Sequence, residues 1–412
     1  MDFEPWWLIS IPVLFGLGWI AARVDFRQML TETRSMPKSY FKGLNFLLNE
    51  EPDRAIDAFI EVAKLDPETT ELHFALGSLF RRRGEMERAI RVHQSLLARA
   101  DLPFPDREMA QHELAQDYLK AGMLDRAESA FADVLDTRFA VDATRALIRI
   151  HEASHEWPQA IQAVRRLRAL VDEPVPQLVH YHCERAEAAL AGASPDLAAA
   201  ADALDDADHA VQELRDLPKQ GQGSRARIAM LRAHLAGLEN DMQGRCTWLT
   251  SVLTTAPEYG SLVSADIIEC FRAIGQADEG LDMLRAHYQR QPDLDTFNII
   301  FRELRLNRGY SQAWQFARQS LRQHPSLLGL DRLLESELAC EDSDHEGVKA
   351  APPTAAPEAD LGLLRTIIHQ HTRKLDRYAC KVCGFQARHY YWQCPGCNGW
   401  ETYAPRRLEE TS

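Results

Sequence analysis

The chain has 412 residues, 45% of them hydrophobic and 26% charged, enough for a substantial core in more than one domain. Its formal net charge of −14 excludes a protein built chiefly to coat nucleic acid or anionic lipid. Of eight cysteines, four cluster near the C-terminus; Cys183, Cys246, Cys270 and Cys340 lie far apart in helical segments and read as small apolar residues. That layout fits a reduced compartment, the cytoplasm, better than a disulfide framework.

The first predicted element is Trp6 to Ala22, WWLISIPVLFGLGWIAA, seventeen residues without a charge. This is near the short limit for a membrane-spanning helix. Trp6, Trp7 and Trp19 suit the water–lipid interfaces, and the flanks run from Asp2 and Glu4 to Arg23, Arg27, Arg34 and Lys38. The positive side stays inside, so an anchor over residues 1–25 places the rest of the chain in the cytoplasm. A secretory signal would begin with positive charge, and this one begins MDFEP. A buried core helix would have to accommodate three tryptophans and no polar face.

A repeat follows. GLNFLLNEEPDRAIDAFIEVAKLDP (43–67) superposes on GSLFRRRGEMERAIRVHQSLLARAD (77–101) at a shift of 34 residues, and AQDYLKAGMLDRAESAFADVL (115–135) continues the pattern. Small residues at Gly43, Gly77 and Ala115, and at Ala55, Ala89 and Ala127, allow two helices to approach closely. Phe46, Phe80 and Tyr118 fill the space beside them, and Pro67 closes a helix it cannot continue. Period and positions resemble the tetratricopeptide repeat. DLPFPDRE reads as a longer inter-repeat loop, HEWPQAIQAVRRLRAL (155–170) as half a fourth unit, and SPDLAAAADALDDADHAVQEL (194–214) as the close of a fifth. After a loop at DLPKQGQGSRAR (216–227), Pro257, Pro292 and Pro325 close three more. The expectation is an all-α solenoid of about eight units over 36–337, a surface for polypeptides.

Candidates for chemistry within the array are weak. His151 and His155 share a helical spacing but lack a third ligand and read as solvated turn residues. Cys183 in HYHCE reads as a packing residue. There is no phosphate loop and no nucleophile elbow, so no catalytic residue is expected.

Residues 338–376 begin as an Ala-, Pro- and acid-rich linker and end in LGLLRTIIHQHTRKL (361–375). The apolar stripe of that helix must dock on the solenoid, on the terminal motif or on a partner. The terminal domain, 377–407, carries Cys380, Cys383, Cys394 and Cys397 as C-x2-C-x10-C-x2-C, a tetrahedral thiolate site for zinc or iron. Gly384 and Asn398 follow the two pairs where a left-handed backbone is wanted. Tyr390, Tyr391, Trp392 and Trp400 supply most of its apolar body. The balance of charge reverses here, since Leu361 to Leu408 contains only two acids, Asp376 and Glu401.

The cysteine turns resemble the rubredoxin type, with a separation shorter than in electron-carrying rubredoxins. The whole order (anchor, repeats, knuckle) resembles the lipopolysaccharide assembly protein B family, most clearly in GLNFLLNEEPDRAIDAFI, GSLFRRRGEMERAIRVHQSLL and YACKVCGFQARHYYWQCPGC. The resemblance implies a non-enzymatic adaptor on the cytoplasmic face of a bacterial inner membrane. Such an adaptor regulates lipid A synthesis by bringing the committed-step deacetylase to a membrane-bound AAA+ metalloprotease, and it meets lipopolysaccharide assembly and transport proteins. It also implies one iron ion on the four cysteines, with the knuckle packed on the repeats; the overall acidity and the anchor speak against nucleic acid. A redox protein using the knuckle iron, and a zinc ribbon that binds nucleic acid, are the alternatives.

Overall fold

A computed structural model describes Phe15, Trp19 and residues 38–49, 51–65, 69–171, 174–214, 221–341, 358–372 and 375–411. The expected anchor lies outside these residues save Phe15 and Trp19, both helical and exposed. Among the described residues no helix is long and apolar enough to cross a membrane. Helices arranged as consecutive pairs form two compact units, Met1–Ile150 and His151–Ser412.

The first unit holds α1 (Lys38–Leu48), α2 (Pro52–Leu65), α3 (Thr70–Arg83), α4 (Met86–Leu97), α5 (Phe104–Lys120), α6 (Leu124–Ala132) and most of α7 (Ala140–Ala153). The repeat positions do what their size predicts. Ala55, Ala89 and Ala127 are fully buried, with Phe80 and Tyr118 packed in the same clusters. A Cβ on Gly77 would run into the ring of His93, so only glycine lets α3 and α4 meet there. That ring is wholly buried and its Nδ1 lies 2.6 Å from Asp117, which also accepts from Arg81 at 2.7 Å. The loop expected at DLPFPDRE is shorter than predicted: α5 starts at Phe104, with Pro105 in its first turn, where proline lacks only an N–H that would go unbonded anyway.

The second unit continues with α8 (Trp157–Leu170), α9 (Leu178–Leu190), α10 (Leu197–Gln212), α11 (Gln222–Leu238), α12 (Met242–Thr255), α13 (Gly260–Ala273), α14 (Ala277–Arg290), α15 (Leu294–Arg308), α16 (Tyr310–Gln323), α17 (Leu327–Glu341) and α18 (Glu358–Thr372). Pro257, Pro292 and Pro325 each stand just beyond a helix end, as their spacing implied. The helix after the linker docks on the solenoid: α18 pairs with α17, and His369 and Thr372 both reach Asp331.

Three sequence expectations are corrected here. Residues 222–227, read as loop, open α11; Gly223 sits in the helix because a Cβ there would lie 2.7 Å from the Glu401 carboxyl carbon and 2.6 Å from the Tyr259 hydroxyl. Cys246 and Cys270, read as unpaired, are joined as a disulfide between α12 and α13, with Cα atoms 5.8 Å apart. The neighbouring helices bring them together from a sequence separation of 24, which no motif announces, and the bond removes one ground for expecting a reduced compartment. His151, read as solvated, is buried at the end of α7, with Nδ1 3.0 Å from Glu156.

Replacing Gly77 with valine forces the His93 ring from its seat and disturbs the Asp117 network. Overpacking of this kind costs about 1–3 kcal/mol, so the Gly77→Val chain should show a lower urea midpoint by circular dichroism with an unchanged slope.

Candidate metal centre

The four cysteines converge. Their sulfurs all lie within 4.8 Å of one another, with Cys380 and Cys397 3.8 Å apart and Cys383 and Cys394 3.6 Å apart. An ion bonded tetrahedrally to four sulfurs at about 2.3 Å requires edges of about 3.8 Å, so the donor set fits zinc or iron. Backbone N–H groups of Val382 and Gly396 point at the sulfurs of Cys380 and Cys394, each at 3.4 Å, as negatively charged thiolates require. The backbone turns back behind each pair through Gly384 at φ 75° and Asn398 at φ 57°, the two residue types best able to do so. A two-stranded antiparallel ribbon, β1 (Tyr378–Ala379) with β2 (Gln386–Ala387), carries the first turn. The four cysteines form a metal-binding zinc-ribbon site.

The aromatic body differs in part from expectation. Tyr391 is 40% exposed, and its place inside is taken by Tyr378 and Tyr403, which pack with Cys380 and Cys394. Tyr390 packs on that cluster and also meets Tyr259, while Trp392 and Trp400 turn towards the repeats. His180 stacks on Trp400 at 4.7 Å with planes 9° apart, and Tyr259 stacks on Trp392 at 5.7 Å. The Trp400 indole N–H donates to Glu152 at 2.9 Å. Between the two tryptophans and α9 lies the guanidinium of Arg227, only 3% exposed, which donates to Glu184 at 2.6 Å and Glu187 at 2.9 Å. A charge so buried is tolerable only with carboxylates and π faces around it.

Polar contacts fix the register of this seat. Glu401 accepts from Ser224 at 2.5 Å and from His180 Nε2 at 2.9 Å. Asp295 takes a two-pronged bond from Arg407, at 3.0 and 3.1 Å, and one from the Tyr378 hydroxyl at 3.1 Å. The short α19 (Leu408–Thr411) then supplies two helix caps: Glu410 accepts from the Leu294 N–H that opens α15, and Glu409 from Leu327, Leu328 and Ser326 at the start of α17. Carboxylates satisfy unbonded N–H groups and complement the helix dipole there. Nearly all these partners sit on α7, α9, α11, α15 and α17, which are first helices of their pairs, and Tyr259 stands just before α13, another.

The ligands follow from the cysteine spacing and the packing of knuckle on repeats from the family resemblance, but the residues of the seat follow from neither. One signal was available: Asp376 and Glu401, the two lone acids of the basic stretch, are both engaged, Asp376 with Arg332 at 3.0 Å. Ser224, His180 and Glu401 have the residue types of a hydrolase triad but not its wiring. Ser224 and Glu401 both approach the same ring nitrogen, Nε2, and the serine is buried, so no base is held between nucleophile and carboxylate. Cys183 is likewise inert, because burial pushes its thiol up to about 12.

Burial keeps His180 below its usual range and therefore neutral, donating to Glu401. Burial would raise Glu401, but the hydrogen bonds from His180 and Ser224 outweigh it and hold the carboxyl below its ordinary value. A carboxylate depressed on folding adds stability above its unfolded pKa and loses it as pH falls through the folded one. Glu401→Gln should therefore destabilise the second unit by about 1–3 kcal/mol near neutral pH. Scanning calorimetry should show the gap to the parent chain closing as pH falls below the ordinary carboxylate range.

Residues 378–405 match the model of a rubredoxin metal-binding domain, and residues 72–108 match a tetratricopeptide-repeat model. The lipopolysaccharide assembly protein B of Escherichia coli (strain K12) is 30% identical over 402 residues, 97% of this chain and 97% of the relative. The protein of the same name from Haemophilus influenzae is 25% identical over 416 residues, 98% of each. Among solved structures, the C-terminal part of a repeat-containing protein from Cytophaga hutchinsonii aligns with 67% of this chain and 98% of its own, at 11% identity and a TM-score of 0.39. With a repeat array, a metal knuckle and 30% identity along nearly the full length of both chains, this chain belongs to the lipopolysaccharide assembly protein B family.

Proposed function

We propose that the chain is a non-enzymatic adaptor in lipopolysaccharide assembly, tethered to the inner membrane by residues 1–25 with its bulk in the cytoplasm. The repeats over 36–337 and the knuckle over 377–407, joined by 338–376, hold protein partners together. By resemblance to its family those partners are a membrane-bound AAA+ metalloprotease and the deacetylase that commits lipid A synthesis, along with proteins of lipopolysaccharide assembly and transport. Bringing protease and deacetylase together lowers the amount of deacetylase and matches synthesis to demand.

The observation that supports an adaptor most directly is the closed metal centre. Four protein sulfurs leave no position for substrate or water, which is the mark of a structural ion. When bound, the ion supplies cross-linking: it fixes two turns that the small domain's apolar surface could not fix alone. Iron follows from the rubredoxin resemblance, and zinc is equally compatible with four thiolates. The chain's own residues do the rest, with Trp392, Trp400, Glu401 and Arg407 setting the knuckle on the repeats.

The test is co-purification from detergent-solubilised membranes, comparing the intact chain with a Cys380→Ser, Cys383→Ser variant. The intact chain should recover the metalloprotease and the deacetylase, and the variant should recover neither. If no envelope enzyme or protease accompanies the intact chain, the adaptor reading fails. Equal recovery by both forms would mean that the knuckle does not shape the binding surface.

A further inference from the structure

Among the described residues the hydrogen bonds and ring contacts that join the knuckle to the repeats run through residues such as Tyr378, Tyr390, Trp392, Trp400, Glu401 and Arg407, and none runs through Lys381 to Gln386. Every residue from Lys381 to Gln386 is exposed, with Val382 at 71% and Phe385 at 43%, and Tyr391 is exposed further along. Single exposed apolar side chains are ordinary. Three on one small domain, two of them three residues apart beside one metal turn, are a concentration of the kind that marks an interaction site. The metal turn also holds its backbone rigid, so little order is lost when something docks on it.

The charge around this patch is unusual for the molecule. From Arg377 to Trp400 the sequence contains no carboxylate, while the chain as a whole has a formal net charge of −14. Lys381 lies in the metal turn that joins β1 to β2 and Arg388 directly follows β2, so the two cations stand towards opposite ends of the ribbon. Both side chains are exposed, and neither forms an ion pair among the described residues, although the chain forms many such pairs elsewhere. Several first helices of the pairs in the second unit are already engaged by the knuckle's inner residues.

We propose that Lys381, Val382, Phe385, Arg388 and Tyr391 form a docking surface for a short acidic polypeptide segment with an apolar or aromatic anchor residue. Val382 and Phe385 receive the anchor, and the two cations receive carboxylates on either side of it. Two cations suit one or two carboxylates. They do not suit the long row of phosphates that nucleic acid presents, which the acidic remainder of the chain would repel. The inference rests on the adaptor reading only in taking the ligand to be a protein.

The experiment selects short random peptides displayed on phage against the full-length, metal-loaded chain in detergent micelles. The selected peptides are then titrated against the intact chain, Phe385→Ser, and the pair Lys381→Glu, Arg388→Glu. Selected sequences should carry carboxylates around an aromatic or branched apolar residue and should bind either variant at least about tenfold more weakly. Metal content and melting temperature should not change. If the pair of substitutions lowers metal content, Arg388→Glu alone, which lies outside both cysteine turns, carries the test with a weakening of about threefold.

Peptides that are neutral or basic, or acidic peptides that bind the variants as tightly as the intact chain, would overturn the proposal. So would a single-stranded oligonucleotide or phosphatidylglycerol vesicles binding this face in a charge-dependent way when no acidic peptide is selected. The two readings fail separately. Co-purification that survives charge reversal, with peptides bound elsewhere, removes the docking surface and leaves the adaptor. Selection of acidic peptides on this face without co-purification of envelope proteins does the reverse.

Discussion

Four thiolates held around one ion are the constraint on which the C-terminal half of this protein depends. A domain of roughly thirty residues buries too little apolar surface to hold its own fold, and a metal cross-link makes up the difference. Once the turns at Cys380–Cys383 and Cys394–Cys397 are fixed, Trp392, Trp400 and Glu401 project from one rigid body. Only then can an aromatic stack, a buried guanidinium and two helix-capping carboxylates meet the repeats in one register. The metal centre is thus the origin of that surface.

The repeat helices were legible in the sequence because their physics is local and recurs. A small residue at Gly77 facing the ring at His93, and alanines at 55, 89 and 127, recur with the period of a helix pair. The metal ligands were legible because thiolate geometry dictates the spacing of both cysteine pairs. The seat was not legible. His180 and Glu401 are separated by 221 residues and Glu152 and Trp400 by 248, so no window of sequence contains either contact. Gly223 illustrates the limit: glycine beside serine and glutamine reads as loop, and only the approach of Glu401 explains its place in a helix. The Cys246–Cys270 bond was hidden for the same reason, since helix pairing and not sequence spacing aligns the two sulfurs.

The seat also changes what the array can offer. A bare solenoid presents its inner helices to a polypeptide. Here the chain's own C-terminus lies on the first helices of the pairs from α9 to α17, with Glu409 and Glu410 closing the N-termini of α17 and α15. Repeats and knuckle in this unit therefore present their surface as one composite body. The apolar and cationic residues that remain exposed on the knuckle follow from the same division of faces.

The central claim is that metal binding in the knuckle stabilises the repeats on which it sits. Hydrogen exchange on the full-length chain, with and without its metal, tests this most directly. On metal removal, protection should fall in the first turns of α15 and α17 and along α9 and α11 together with the knuckle, while α1 to α6 keep theirs. Loss of protection in the knuckle alone, with those helices unchanged, would contradict the account.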